Sequence, residues 1–320
     1  MTPPRSILLL GNTAEGALLG GYFQSRGFSP LLLGRKRAGQ PFTRLEAGGK
    51  EITLEVKALP QSEIFHVQAA FATVKSFDLL GIIERHIHYL PPKIPIFCLA
   101  HSGIEKALAQ FASQHPQFWW RLGTCEHHLQ ELIPSFFRHT AAAEVPQGQL
   151  TWGPLFSEPL ALHEEGVPDP MFIHTPTGIE QEWLAQDPYF FQWHGRILEE
   201  RRIQWLYELV IASLSAAMQL PTCGALFSHM EVLGQTFEEG YQLGLERWKT
   251  WPLSRDKLYE GLISQISKRA SQPNLMYLDT LRQQKTENQY FAGSAGEKYP
   301  QLWALALKIA ALPHGNHMGG

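Results

Sequence analysis

The chain has 320 residues, enough for two domains of ordinary size, and its 44% hydrophobic and 18% charged composition fits a packed globular protein rather than a disordered one. A formal net charge of -3 gives no electrostatic case for nucleic acid as a partner, and the three cysteines, Cys98, Cys125 and Cys223, form no CxxC pair. That usage argues against a disulfide framework or Cys-rich zinc site and for a reducing cytoplasm. No segment reaches the roughly 20 apolar residues of a membrane span, and the apolar run at residues 7–10 is too short for a signal peptide.

Ile7, Leu8, Leu9 and Leu10 read as a buried strand, and residues 14–26 as a helix with Leu18, Leu19, Tyr22 and Phe23 on one face. Gly27 ends that helix, and residues 30–33 form the next strand. Residues 52–56 and 69–74 read as further strands, and residues 79–89 as a helix before Pro91-Pro92. Residues 94–99 are apolar almost throughout, as a parallel strand covered on both faces would be, and residues 104–113 return to helix. This alternation argues for βαβ units.

The texture changes after about Gly123. Residues 138–145, the turn Pro146-Gln147-Gly148 and residues 149–152 read as an antiparallel hairpin at the sheet edge. Residues 157–188 are rich in Pro, Gly and acids and read as a connection with one short helix near 179–185. Helical periodicity then covers 197–219, 230–245, 254–267, 277–291 and 299–312, with Gly224, Gly240, Pro252, Pro273 and Gly293 between or within them. The expected fold class is α/β: an N-terminal Rossmann-like doubly wound sheet over residues 1–190, then a C-terminal all-helical domain over 191–320.

Gly11-Asn12-Thr13-Ala14-Glu15-Gly16 sits where a Rossmann fingerprint must sit, between the first strand and the first helix. Gly11 allows the tight turn, Gly16 lets the helix pack close to the sheet, and the exposed amides at the helix start can receive a diphosphate. Thr13 stands where the fingerprint has its second glycine and crowds that approach; a plain strand-to-helix turn without ligand is the alternative. Directly after the second strand comes Gly34-Arg35-Lys36-Arg37, three cations where an NAD site usually places an acid. A 2′-phosphate needs cations, so Arg35 and Lys36 point to NADP; a solvated basic loop is the alternative. No metal site is expected. Glu126-His127-His128 holds adjacent histidines that alternate faces on a strand, and His86 and His88 are still weaker candidates. Phe118, Trp119, Trp120, Trp193 and Trp205 read first as core or packing residues. His314 and His317 fall in a Gly-rich tail.

Over most of its length the chain resembles the ketopantoate reductase family. Four stretches carry the resemblance: LLLGNTAEGALLGGYFQSRGFSPLLLGR, FATVKSFDL, IFCLAHSGIEKAL and YLDTLRQQKTEN, together with the stretch VPQGQLTWG. It implies a Rossmann domain joined to a helical domain, with the active site in the cleft between them. It also implies that Lys75 is the cofactor-side lysine, that Ser102 stands where the family has an asparagine, and that Glu287, after Thr286, meets substrate. The family's catalytic lysine falls on Glu208; its substrate-binding asparagines fall on Ala212 and Ala216, and a substrate serine near Leu275. No lysine occurs between Gln192 and Arg247 to take the missing role.

A ketone accepting hydride needs a proton donor beside the developing alkoxide. Glu208 in that place would be anionic and repel both an alkoxide and a carboxylate substrate unless burial kept it protonated; an outward-facing Glu208 with no such role is the alternative. Ser102 reads either as a donor to substrate or nicotinamide or as a turn cap. Two functions follow. One is an NADP(H)-dependent oxidoreductase of this kind acting on an altered, neutral or cationic small molecule, with Glu208, Glu287 and Ser102 as catalytic or substrate residues and Gly11, Asn12, Thr13, Gly16, Arg35, Lys36 and Lys75 on the cofactor. The other is a non-catalytic dinucleotide-binding relative acting as a sensor or interaction protein. A cytoplasmic homodimer without nucleic-acid or membrane partners is expected in either case.

Overall fold

The computed structural model describes residues 5–33, 42–47, 50–57, 66–100, 103–126, 129–133, 136–139, 149–156 and 174–312. The chain divides into two compact units, Met1–Leu198 and Glu199–Gly320.

The first unit is built on strand β1 (Ser6–Leu10), whose five residues are all buried. Its side chains alternate between two cores. Leu8 and Leu10 pack with helices α2 (Ser76–Ile87) and α3 (Glu105–Ser113) through Leu79, Ile83 and Leu108. Ile7 and Leu9 pack on the other face with Leu19 and Phe23 of α1 (Ala14–Ser25) and Trp183 of α4 (Gly178–Gln186). A strand buried on both faces has no polar side to show, which is why its sequence is an unbroken apolar run.

Parallel strands flank β1: β2 (Ser29–Leu33) on one side and β5 (Val67–Ala72) on the other. Beyond β5 come β6 (Pro95–Cys98) and β7 (Trp119–Glu126), both parallel; beyond β2 comes β4 (Lys50–Lys57), parallel to β2. The antiparallel partner of β4 is β3 (Phe42–Ala47), a strand the hydrophobic pattern did not reveal. With β8 (Leu129–Ile133), β9 (Phe136–His139), β10 (Gln149–Pro154) and β11 (Phe191–Trp193), the order is β11-β10-β7-β6-β5-β1-β2-β4-β3-β9-β8. This is the doubly wound α/β sheet expected from the alternation of strands and helices.

One local expectation is overturned. Of the hairpin expected between residues 138–145 and 149–152, residues 140–148 lie outside the described residues, and the described ends, 138–139 and 149–152, do not pair with each other. β9 pairs with β3 and β8 at one edge, whereas β10 pairs antiparallel with β7 and parallel with β11 at the other. Alternation identifies a strand but not its partner, and β7 offers β10 a six-residue register from Arg121 to Glu126. β11, just past residue 190, adds to the first unit's sheet, and the two compact units divide after Leu198.

One polar knot lies inside the first unit. Arg121 on β7 and Glu180 on α4 are both fully buried, with Nε to Oε1 at 2.8 Å and Nη2 to Oε2 at 3.0 Å. Trp152 Nε1 and the Thr177 N–H also donate to Glu180, at 2.9 and 2.7 Å. Arg121 Nη2 donates to the Thr175 carbonyl at 3.0 Å. The forked geometry and the extra donors make a buried pair tolerable, because each oxygen that left water has partners.

The second unit is helical among its described residues: α5 (Ile197–Ala217, entering from the first unit), α6 (Met230–Trp248), α7 (Arg255–Lys268), α8 (Leu275–Leu281) and α9 (Pro300–Ala311). Its core gathers Leu206, Leu209, Val210, Phe237, Leu258, Leu262, Leu302 and Ile309. The expected helix over 277–291 stops early. Gln283 takes φ +54°, and Gln284 donates its N–H to the Asp279 carbonyl at 2.8 Å, which closes α8. Thr286 and Glu287 therefore lie beyond a helix, not on one.

Candidate functional site

The turn after β1 lies at the carboxyl edge of the sheet, where β1 meets β2 on one side and β5 on the other. Such a reversal of strand order opens a crevice, the place where open α/β sheets take ligands. Gly11 has φ +133°, and its N–H donates to the Leu33 carbonyl at 2.8 Å. A Cβ there would stand 2.7 Å from Val74 Cγ1 and 2.9 Å from Thr73 Oγ1. A Cβ on Gly16 would stand 2.3 Å from the Gly11 carbonyl oxygen. Both positions therefore exclude every side chain, for the reasons the fingerprint requires glycine: a special backbone angle and close packing of helix on turn.

Thr13 is the N-cap of α1, with φ -113° and ψ 173°. Its hydroxyl accepts from the Gly16 N–H at 3.1 Å and donates to Thr73 Oγ1 at 3.0 Å. Thr73, 5% exposed at the end of β5, donates onward to the Gly11 carbonyl at 3.3 Å. The departure from the fingerprint is thus a local substitution of function. The threonine hydroxyl satisfies an amide of the first turn that a phosphate oxygen would otherwise take. Glu15, also in that first turn, suits the helix dipole but would oppose an incoming diphosphate. Asn12 and Thr13 are both half-buried.

Lys75 follows two residues after Thr73 and is the N-cap residue of α2, half-buried. Chain direction therefore brings Gly11, Thr13, Gly16, Thr73 and Lys75 to one edge of one sheet. At the end of β6, Gly103 has φ +107° and donates its N–H to Glu105 Oε2 at 2.7 Å. Ser102 lies outside the described residues, as do Arg35, Lys36 and Arg37 after β2, His127 and His128, and His314 and His317.

In the second unit Glu208 lies on α5, and its side chain is 20% exposed. Arg269 Nη1 donates to Glu208 Oε1 at 2.7 Å, and Asn274 Nδ2 faces Oε2 at 3.4 Å. Both neighbours donate, so both carboxyl oxygens of Glu208 are used as acceptors here. Asn274 is itself the N-cap of α8, accepting from the Met276 N–H at 2.8 Å. Cys223 lies in the same electrostatic neighbourhood. Burial pushes its thiol up to about 11, with Arg269 opposing and Glu208 adding to the rise.

Glu287 is buried at 6% exposure, beside Thr286 at 7%. Ala212 and Ala216, 3% and 0% exposed, belong to the helical core. Leu275, at the start of α8, is 50% exposed. Among the described residues no group of three His, Cys, Asp or Glu is arranged to hold a metal ion, and no helix is long and apolar enough to cross a membrane. Sequence reasoning missed Thr73, Arg269 and Asn274. Thr73 had a signal, as the first polar residue after the apolar run of β5; Arg269 and Asn274 had none, since their importance depends on a contact about sixty residues away.

No protein-family model matches the chain, and no curated protein matches it. Solved structures do. A PanE/ApbA family ketopantoate reductase from Ralstonia eutropha JMP134 aligns over 96% of this chain and 98% of its own, with TM-score 0.75 at 16% identity. A D-mandelate dehydrogenase in ternary complex with NADH and anilino(oxo)acetate aligns over 96% and 98%, with TM-score 0.73 at 15% identity. A dimeric ketopantoate reductase from Staphylococcus aureus aligns over 96% and 98%, with TM-score 0.69 at 15% identity. The chain therefore has the two-part fold of a Rossmann-like domain followed by a helical domain. The particular fold it shares, end to end, is that of the ketopantoate reductases.

Proposed function

We propose that the protein is a divergent member of the ketopantoate reductase family and an NADP(H)-dependent oxidoreductase that reduces a keto group on a small molecule. One observation carries the reading: the β1–α1 turn, at the strand-order reversal, has two glycines whose places admit no Cβ. A turn serving packing alone needs the second of these, but the positive-φ first one directly before a helix start is the form that accepts a diphosphate. Those residues fit a dinucleotide in part. Gly11 and Gly16 shape the cradle, the first-turn amides other than that of Gly16 receive the phosphates, and Lys75 contributes a cation at the same edge. Arg35 and Lys36, next in sequence to β2, support a 2′-phosphate and hence NADP rather than NAD.

A bound nicotinamide would supply hydride. This chain must position the ketone and neutralise the alkoxide, and Glu208 does neither as a donor; Glu287 and Ser102 remain the proposed substrate contacts. The D-mandelate dehydrogenase with the same fold holds NADH and anilino(oxo)acetate, which supports both a nicotinamide and an oxo-acid-like ligand. A cytoplasmic homodimer is proposed with it, supported by the dimeric Staphylococcus aureus relative in fold.

NADPH consumption against a panel of 2-oxo acids and simple ketones tests the reading. Turnover that falls on Glu287→Gln is the expected result. A second reading has one observation in its favour: the acceptor state of Glu208 leaves the expected acid missing, as in a protein that binds a dinucleotide without turning anything over. NADPH binding without consumption of it on any member of the panel would decide for that reading.

A further inference from the structure

We infer that the first unit carries a second ligand site, a cleft at the amino edge of its sheet that binds the phosphoryl group of a small phosphate monoester. This site is separate from the nucleotide turn and does not depend on the oxidoreductase reading.

Topology sets the two places apart. β1, β5, β6 and β7 run parallel, so their first residues share one edge of the sheet, and the β1–α1 turn lies at the other. Arg5, just before β1, and Val67, Pro95 and Trp119, which open β5, β6 and β7, line a cleft of about 440 Å³ at that amino edge. The size is that of a small-molecule site. The start of α4 supplies more of the lining through Thr177, Gly178 and Ile179.

Donors there are left open. The first backbone bond of α4 runs from the Gln181 N–H to the Thr177 carbonyl at 2.8 Å, so the N–H groups of Gly178 and Ile179 have no acceptor among the described residues. A Cβ on Gly178 would meet nothing within 4 Å, so space is open beside that amide. Thr177 is 1% exposed, and no acceptor takes the proton of its hydroxyl. A buried hydroxyl left so is costly, and an anion in the cleft would relieve it.

Charge favours the same occupant. The lining holds Arg5 and Lys93 against one acid, Glu182, whose two oxygens already accept from Arg5 Nη1 and Nη2. That bonding holds the Glu182 carboxyl below its usual range, as a carboxylate neutralised in place. Lys93 is kept at the cleft by its N–H, which donates to the Gln117 carbonyl at 2.8 Å. His66 is a third group there that can carry positive charge, and the helix dipole acts in the same sense. Two amides, a hydroxyl and an ammonium match the three terminal oxygens of a phosphoryl dianion better than the two of a carboxylate. Ile94, Pro95 and Trp119 offer apolar wall to an organic body, which is why an ester is assigned rather than free phosphate.

The probe is phenyl phosphate, titrated into the full chain by calorimetry beside phenol and inorganic phosphate, with and without excess NADPH. Wild type, Lys93→Gln and Gly178→Pro are compared, and thermal unfolding is recorded on each. Proline at the first helical position removes an N–H that has no acceptor in the fold, and the extended backbone of Thr177, φ -76° and ψ 174°, accepts a proline after it. The expected result is saturable binding of phenyl phosphate, undiminished by NADPH and absent with phenol. It weakens about tenfold or more in both variants at unchanged melting temperature. Should Gly178→Pro lower the melting temperature, Lys93→Gln, a change at an exposed side chain, decides alone. No saturable binding by wild type, equal binding of phenol or of inorganic phosphate, displacement by NADPH, or unchanged affinity in a stably folded variant overturns the inference.

Discussion

Replacing Thr13 with glycine should weaken the fold slightly and strengthen nucleotide binding, two effects of opposite sign from one hydroxyl. In the structure Thr13 Oγ1 accepts from the Gly16 amide at 3.1 Å and donates to Thr73 at 3.0 Å. Glycine as N-cap costs only a few tenths of a kcal/mol relative to threonine, and the lost bond to Thr73 about 0.5–1.5 kcal/mol. The sum is about 1–2 kcal/mol, which for a unit of this size lowers the melting temperature by roughly 2–8 °C. On the binding side the Gly16 amide becomes available to a phosphate oxygen. A hydrogen bond to a charged group contributes about 1.5–3 kcal/mol, so NADPH should bind about tenfold tighter or more. The assay is an equilibrium titration of NADPH fluorescence with Thr13→Gly, Thr13→Ser and Thr13→Val beside wild type. Serine keeps the hydroxyl and should match wild type; valine loses the cap, keeps the bulk and should gain nothing. If glycine binds no tighter than wild type, the diphosphate does not sit on that amide and the competition argument is wrong.

Glu15→Gln removes a carboxylate from the first turn of α1 and should tighten NADPH binding at low ionic strength, an advantage that shrinks as salt rises; a salt-independent change would contradict the electrostatic origin. Glu180→Ala removes the carboxylate that faces the fully buried Arg121, which should cost about 3–5 kcal/mol in thermal or urea unfolding, whereas replacing both by leucine or methionine should recover most of the loss. Cys223, 1% exposed, should resist thiol reagents in the native state. Its thiol ordinarily ionises near 9.0 and is pushed up to about 11 in the fold, so its contribution to stability is present below pH 9 and is lost as pH rises through 11. Urea unfolding at stepped pH on wild type and Cys223→Ala should show that difference, with Cys223→Ala losing less stability over the same range.

The doubly wound core was legible because its strands are buried on both faces, as the runs at Ile7 to Leu10 and Ile96 to Cys98 show. The partners of the later strands were not. β9 and β10 are both short, and nothing in their residues says that they lie at opposite edges of the sheet. The end of α8 was hidden too, since the residue with positive φ is a glutamine rather than a glycine. At the candidate site the glycine turn could be read directly, because positive φ and absent Cβ space leave only one residue type. Glu208 could be located but not interpreted. Its surroundings are set by Arg269 and Asn274, 61 and 66 residues away in sequence, which only the tertiary fold brings beside it.

The central claim is that the β1–α1 turn holds a phosphorylated nucleotide. Titration of the full chain with NADPH, alongside Gly16→Ala and with NADH as comparison, tests it most directly. The account predicts saturable binding, tighter for NADPH than for NADH, and lost when a methyl group is forced to within 2.3 Å of the Gly11 carbonyl oxygen. Absence of saturable binding by wild type at millimolar NADPH, or undiminished binding in a folded Gly16→Ala protein, would contradict it.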